Sequence, residues 1–355
     1  MQTIDHLFEK ALGLLRQLIA TPSFSKSEEQ TAALIARFLE AEGVTVTIAG
    51  NNVLACNRHW KEGLPCYLLN SHHDTVKPAP SYTRDPFAAE VENGRLYGLG
   101  SNDAGGPLVA LIATFLYFYD EENLPFNLQL AATAEEEISG SGGIESVLPL
   151  LGCINGALVG EPTQMQLAVA ERGLLVIDAV ATGRAGHAAR QEGDNALYKA
   201  VRDITRLQSM RFERVSPLLG PVTAQATVLE TENKAHNVVP AHCRFVIDVR
   251  VNELYTLEEV LALLRNELES ELSPRSTRLR SSVIADGHPL VQAGKTMGGS
   301  VYGSPTTSDK ALMPFPALKI GPGDSARSHT ANEWIALDEL KDGISRYIEL
   351  LKHLL

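Results

Sequence analysis

The sequence predicts an α/β protein with a mostly parallel sheet, into which a smaller α+β unit is inserted. Two observations carry this. Up to about residue 172, short apolar runs alternate with helical stretches, and three of the runs stop at acids or histidines; strands alternating with helices build a parallel sheet with helices on its faces. Beyond that point the order becomes strand, helix, two strands, helix, strand, the split βαβ arrangement. The expected domains are therefore 1–172 with 285–355, and an insertion at 173–284.

Residues 4–20 place Leu7, Ala11, Leu14, Leu15 and Leu18 at helical spacing. A second helix is expected over SEEQTAALIARFLEAEG, with Ser27 and Gln30 as a capping box and Gly43 as its stop. VTVTIAG and NVLACNR read as strands, and CYLLN (66–70) as a short buried strand ending at SHHD. GGPLVALIATFLYFYDE (105–121) is apolar on most sides, which predicts a buried helix. NLQLAATA and GALVGEPT repeat the theme of an apolar strand closed by polar residues. In the insertion, GLLVIDAVATG, NALYKAVRDITRLQSMRF, TAQATVLETENKAHNVVPAHCRFVIDVRV, LEEVLALLRNELESEL and TRLRSSVIADG supply its strands and helices in turn. From about residue 285 the chain is expected to run as helix and loop, closing with the amphipathic LKDGISRYIELLKHLL.

The 355 residues suit about two domains, at roughly 100–200 residues each. A formal net charge of −12 argues against nucleic-acid binding. No run approaches the roughly 18 apolar residues of a membrane span, and the first 20 residues lack the features of a signal peptide. A cytoplasmic protein is expected. Cys56, Cys66, Cys153 and Cys243 are scattered without a CxxC, so reduced packing residues are expected.

The polar clusters carry the chemistry. SHHD holds His72, His73 and Asp74; LYGLGSNDAGG holds Asp103; TAEEEIS holds Glu135, Glu136 and Glu137; VGEPT holds Glu161; GPGDSARSHTANEW holds His329. A lone His-x-Asp is common, and a glutamate triplet is usually a solvated face. Here the triplet follows an apolar strand, where uncompensated carboxylates are costly. Mixed imidazole and carboxylate donors suit zinc or a similar metal, and this many exceed what one tetrahedral ion needs. A two-metal site would use them all. In an extended chain His72 and Asp74 share a face, so the Asp74 carboxylate is expected to accept a hydrogen bond from the imidazole, with His73 pointing elsewhere.

These segments together resemble the M20 family of metallopeptidases and amidohydrolases along nearly the whole chain. LLNSHHDTV is similar to the family's GHxDxV; RDPFAAEVENGRLYGLGSNDAGG to its DPF…G.lyGrG..DmKG; TAEEEIS to its T.DEE.g. LVGEPT, GRAGHAA, NVVP, DVR and GPGDSARSHTANEW follow in the family's order. The resemblance implies a metal-binding catalytic domain with an inserted lid or dimerisation domain. It implies two divalent ions, zinc first, with cobalt or manganese fitting the same ligands. His72 would bind one ion and His329 the other. Asp103 would bridge them, and Glu137 and Glu161 would complete the spheres. Asp74 would orient His72, and Glu136 would be the general base. His187 would stabilise the oxyanion, and Asn237 and Arg250 would hold the substrate carboxylate. Two departures stand out: DAGG replaces DMKG, with Gly105 in place of the lysine, and SH replaces GH.

The implied reaction is hydrolysis of the amide of an N-acyl amino acid. Within the family the resemblance is to acetylornithine deacetylases and desuccinylases. N-acetylornithine is the expected substrate, with N-acetylcitrulline or N-succinylornithine open, in arginine biosynthesis. The alternatives are succinyl-diaminopimelate desuccinylase or an M20 di- or tripeptidase. A glycosidase reading of Glu136 and Glu137 leaves the histidines and Asp103 without a role, and a non-catalytic metal-binding scaffold has no use for Glu136. Expected partners are the small substrate and a second copy through the insertion, with neither nucleic acid nor membrane. Hinges near 172–174 and 283–287 are expected to allow closure.

Overall fold

The computed structural model describes residues 2–190 and 192–355. They divide into two compact units. The first holds the chain up to Val169, with Ile284–Tyr302 and Ser308–Leu355; the second holds Ala170–Val283 with Gly303–Thr307. The return of Gly303–Thr307 carries no mark in the sequence.

The first unit opens with α1 (Ile4–Ile19), capped by the Thr3 side chain, which accepts from the His6 N–H. Leu7, Ala11, Leu14, Leu15, Leu18 and Ile19 form its buried face. In α2 (Glu29–Ala41) the expected Ser27–Gln30 box is absent: Glu28 stands at the N-cap with no side-chain cap bond, because its carboxylate is engaged elsewhere. Gly43 ends the segment at φ 78°, where a side chain would be strained. Strands β1 (Val46–Ala49), β2 (Asn52–Cys56) and β3 (Cys66–His72) follow, then the short β4 (Glu90–Glu92) and β5 (Arg95–Tyr97). The apolar α3 (Gly106–Phe118) buries all but one of its side chains. Then come β6 (Asn127–Thr133), α4 (Ile144–Leu151), β7 (Gly156–Gly160) and β8 (Leu167–Glu171).

The second unit contains β9 (Gly173–Thr182), β10 (Gly186–His187), α5 (Ala196–Ser209), β11 (Thr223–Thr231), β12 (Val238–Val239), β13 (His242–Val251), α6 (Leu257–Glu267), β14 (Glu271–Pro274) and β15 (Ser282–Val283). Its antiparallel sheet runs β11-β13-β9-β14. Alternate residues of β9 and β13 enter one apolar core with α5 and α6. The sequence reading placed the last strand at TRLRSSVIADG. The strand beside β9 is instead ELSP, which had read as the end of the helix. Helix α6 stops at Glu267, and Leu268 already has extended backbone.

The chain returns with α7 (Pro289–Thr296), β16 (Val301–Ser304), β17 (Ala317–Ile320), β18 (Trp334–Ala336) and α8 (Leu337–Lys352). This corrects the expectation of helix and loop beyond residue 285. Strand β17 is four residues long, too short for periodicity to distinguish it from a loop. The central sheet runs β1-β2-β6-β3-β7-β17-β8. Its middle pairs, β6 with β3, β3 with β7 and β7 with β17, are parallel. Helices α1, α2, α3 and α8 cover one face, and α4 packs on the other.

Candidate metal centre

Side chains that ligate cluster at the carboxyl ends of parallel strands, where crevices open in sheets of this kind. All four parallel strands contribute. His72 ends β3, and Thr133, its register partner, ends β6 just before the glutamate triplet. Glu161 follows β7, and the loop after β17 carries His329. Asp103 arrives from the turn before α3, next to a cis peptide to Ala104.

The distances assign neighbours. His72 Nε2 lies 3.3 Å from Asp103 Oδ1, 3.8 Å from Glu136 Oε2 and 3.9 Å from Glu161 Oε1. His329 Nε2 lies 2.9 Å from Glu137 Oε2 and 3.8 Å from Asp103 Oδ2. Asp103 thus faces one imidazole with each carboxylate oxygen. His72, Asp103 and Glu137 offer ligand atoms within 4.8 Å of one another, as do His72, Glu136 and Glu161. Two imidazoles and four carboxylates so placed match the donors of divalent first-row ions. Such a donor set would suit a pair of divalent ions, and Asp103 is the carboxylate that faces both imidazoles.

The triplet escapes strand alternation. After Thr133 the chain leaves the sheet, Glu135 takes a left-handed conformation (φ 55°), and a single 3₁₀ turn spans Glu136–Ile138. Glu136 and Glu137 therefore both reach the cluster, with side chains 12 % and 7 % exposed. Glu135 turns away, its carboxylate accepting from Gly142 N at 3.2 Å. All three backbone N–H groups end on buried carboxylates. Glu135 N donates to Glu28 Oε1 (3.2 Å), Glu136 N to Asp74 Oδ1 (3.0 Å) and Glu137 N to Asp74 Oδ2 (3.2 Å).

This changes the expected part of Asp74. The short partner of His72 Nδ1 is the Asp74 backbone carbonyl at 2.9 Å, and the carboxylate lies farther off at 3.4 Å. The carboxylate is occupied by the triplet backbone and by Ser25 Oγ at 2.7 Å. His73 does face away: its ring meets Thr31 Oγ1 and the Asn51 carbonyl, both at 2.9 Å, and burial lowers its pKa.

The electrostatics are those of a crowded, buried anionic site. Burial lifts the Glu136 carboxyl well above its ordinary value; His72 opposes this, and Glu161, Asp309 and Glu137 add repulsion. Burial pushes Glu161 up to about 8, against the pull of Lys319. For His72, burial alone would lower the pKa, but Glu136, Asp103 and Asp74 outweigh it and the ring sits well above its usual range. The hydrogen bond to Glu137 raises His329 to about 9. Asp103 is held low: His72, Ser328 and His329 outweigh its burial.

Besides Glu28, sequence reasoning missed two buried acids. Asp309 accepts from Thr133 Oγ1 at 2.7 Å, and burial lifts it to about 6. Glu333 accepts from the backbone of the Asp103 turn. Neither ends an apolar strand, which was the signal used; SHTANEW, which holds Glu333, was quoted only for its histidine. Gly105, where the family has lysine, has no room for a side chain. A Cβ there would lie 2.4 Å from the Gly100 carbonyl oxygen and 2.7 Å from Leu15 Cδ1.

His187, Asn237 and Arg250 all belong to the second unit. His187 pairs with Val238 in the β10–β12 ladder, and Ala188 N donates to the Asn237 carbonyl at 3.0 Å, so His187 and Asn237 are neighbours there. Both are exposed. Ala189 N donates to His187 Nδ1 at 3.2 Å, leaving Nε2 as the protonated nitrogen of the neutral ring. Arg250, on β13, forms a two-pronged pair with Asp248 (2.8 and 3.0 Å). Among the described residues no helix is long and apolar enough to cross a membrane.

Similarity to known proteins runs along most of the chain. A succinyl-diaminopimelate desuccinylase of Rhodospirillum centenum is 30% identical over 296 residues, covering 77% of this chain and 76% of that protein. The M20 family metallo-carboxypeptidase Sso-CP2 of Sulfolobus solfataricus shares the fold with a TM-score of 0.79 at 19% identity, over 97% of this chain and 99% of that one. So does the YXEP protein of Bacillus subtilis, a dinuclear metal binding peptidase from the M20 family, with a TM-score of 0.75 at 16% identity over 99% of both chains. The model of peptidase family M20/M25/M40 matches residues 68–353, so this chain belongs to that family and is a metal-dependent hydrolase of amide bonds.

Proposed function

We propose that this chain removes the acyl group from an N-succinylated amino acid, with N-succinyl-diaminopimelate as the leading substrate. The observation that carries the chemistry is the convergence of His72 and His329 on opposite oxygens of Asp103, with Glu136 beside them. The substrate rests on the desuccinylase name of the relative reported above, at 30% identity. That name favours the alternative in the sequence reading over N-acetylornithine, so arginine biosynthesis is no longer the leading context.

His72, Asp103 and Glu161 would hold one divalent ion, and His329, Asp103 and Glu137 the other, zinc being the first metal to test. Two ions held there would supply polarisation of the scissile carbonyl and a more acidic water. Glu136 takes the proton of that water as its oxygen bonds to the carbonyl carbon. It then passes the proton to the leaving amine as the C–N bond breaks. The raised proton affinity of Glu136 suits both halves of that transfer. Asp74 keeps Glu136 and Glu137 in place through their backbone. The Nε2–H of His187 is a donor suited to the oxyanion, and Asn237 and Arg250 are suited to a substrate carboxylate. The second unit is the proposed dimerisation surface: its edge strand β11 leaves Val228 and Leu229 43% and 46% exposed.

The test is a hydrolysis panel with metal-loaded protein, with and without chelator: N-succinyl-diaminopimelate, N-succinylornithine, N-acetylornithine, N-acetylcitrulline and simple dipeptides. Chelator-sensitive release of succinate and diaminopimelate is expected. Cleavage of dipeptides alone would overturn the substrate, and turnover that survives the chelator would overturn the metal chemistry.

A further inference from the structure

The two loops that carry Asp103 and His329 are more than 200 residues apart in sequence, yet they are laced together at both ends of the second loop. At its far end, Glu333 is 2% exposed. Its Oε1 accepts from Asn102 N at 2.8 Å and from Asp103 N at 2.9 Å, and its Oε2 accepts from Gly100 N at 3.1 Å. Its backbone carbonyl accepts from Gly98 N at 3.0 Å. At the near end, the fully buried Asn102 side chain donates to the Asp324 carbonyl (3.0 Å) and accepts from Asp324 N (2.9 Å). A carboxylate with three N–H donors is a costly group to bury, and Asp103 nearby adds repulsion. A neutral side chain would serve a purely structural turn at lower cost.

We propose that Glu333 is a positioning residue for the dinuclear centre. It sets the bridging carboxylate of Asp103 against His329 by gripping the backbone of the Asp103 turn, and Asn102 fastens the other end. This rests on the proposed ligand set and goes beyond it, because neither Glu333 nor Asn102 touches the reacting atoms. Partners outside the ligand shell of this kind typically change metal affinity by about 10–100-fold.

The test compares wild type with Glu333→Gln. Glutamine keeps the size and one acceptor, but it turns a donor toward an N–H that the carboxyl accepts from. Metal-free proteins are titrated with zinc by calorimetry and melted with and without the ion. Expected for the variant are a metal-free melting temperature close to wild type and an affinity lower by about 10-fold or more for at least one ion. Its kcat should recover at saturating metal with KM for the substrate unchanged. Wild-type affinity for both ions, with a lower metal-free melting temperature, would make Glu333 structural only and overturn the proposal. Wild-type protein that binds no ions would instead remove the ligand set beneath it. If Glu333→Gln does not fold, Asn102→Ser unfastens the other end. Weakened binding in that variant supports the lacing, and full affinity overturns it.

Discussion

His72 and His329 face opposite oxygens of the Asp103 carboxylate and are built in contrasting ways. His72 closes a strand of the central sheet, its side chain is 1% exposed, and its far nitrogen is held by the Asp74 carbonyl. His329 lies in a loop at φ 59°, its side chain is 55% exposed, and its ring nitrogen meets Glu137 and Asp103. One end of the site is preorganised by the sheet and the other by loop lacing. The lesson is that the two ions are expected to bind unequally, tightly at His72 and more loosely at His329.

The largest expected effect leaves that contrast intact and removes the base. Glu136→Gln should lower kcat by about 10²–10⁴-fold while both ions remain bound. Near-normal turnover would show that Glu136 is not the base. Next come the two histidines. His72→Ala should abolish the tight ion in a metal titration, and His329→Ala should abolish the weaker ion and leave the tight one. Equal losses in the two variants would erase the contrast.

Proton linkage sharpens it further. The hydrogen bond to Glu137 raises His329 to about 9, so that ring holds a proton at pH 7 that an ion must displace, and Glu136 pushes His72 in the same direction. Metal affinity should therefore rise as pH climbs toward about 9, the value for His329, and protons should be released on binding. Calorimetry in buffers of different ionisation enthalpy counts them, and a count of zero would contradict the site. The smallest effect lies behind the His329 loop. The buried Tyr347 hydroxyl donates to the Ile320 carbonyl at 2.5 Å, at the end of β17. Tyr347→Phe should cost about 0.5–1.5 kcal/mol of stability, measured by chemical denaturation, because the carbonyl keeps only its longer bond from Glu161 N at 3.4 Å.

The same contrast explains what could be read in the sequence. Strands β3, β6 and β7 are apolar runs that stop at polar residues, so His72, the triplet and Glu161 were found from pattern alone. Strand β17 is too short to register, so His329 stood among the polar clusters without a strand end to mark it, and the family resemblance supplied its role. Asp309, Glu333 and Glu28 were missed because they act on backbone N–H groups or hydroxyls brought near by folding, which no local spacing records. The division of labour in Asp74 was hidden for the same reason: spacing gave the shared face with His72, whereas the triplet backbone came to its carboxylate only through the 3₁₀ turn. In the second unit the alternation of β9 and β13 was legible, but β14 was absorbed into the helix before it.

The most direct measurement is a calorimetric titration of the metal-free protein with zinc, run beside the His72→Ala and His329→Ala variants. The account predicts two ions per chain in wild type, bound with unequal affinity, the tighter missing without His72 and the weaker missing without His329. A single ion in wild type, or two ions that survive both substitutions, would contradict it.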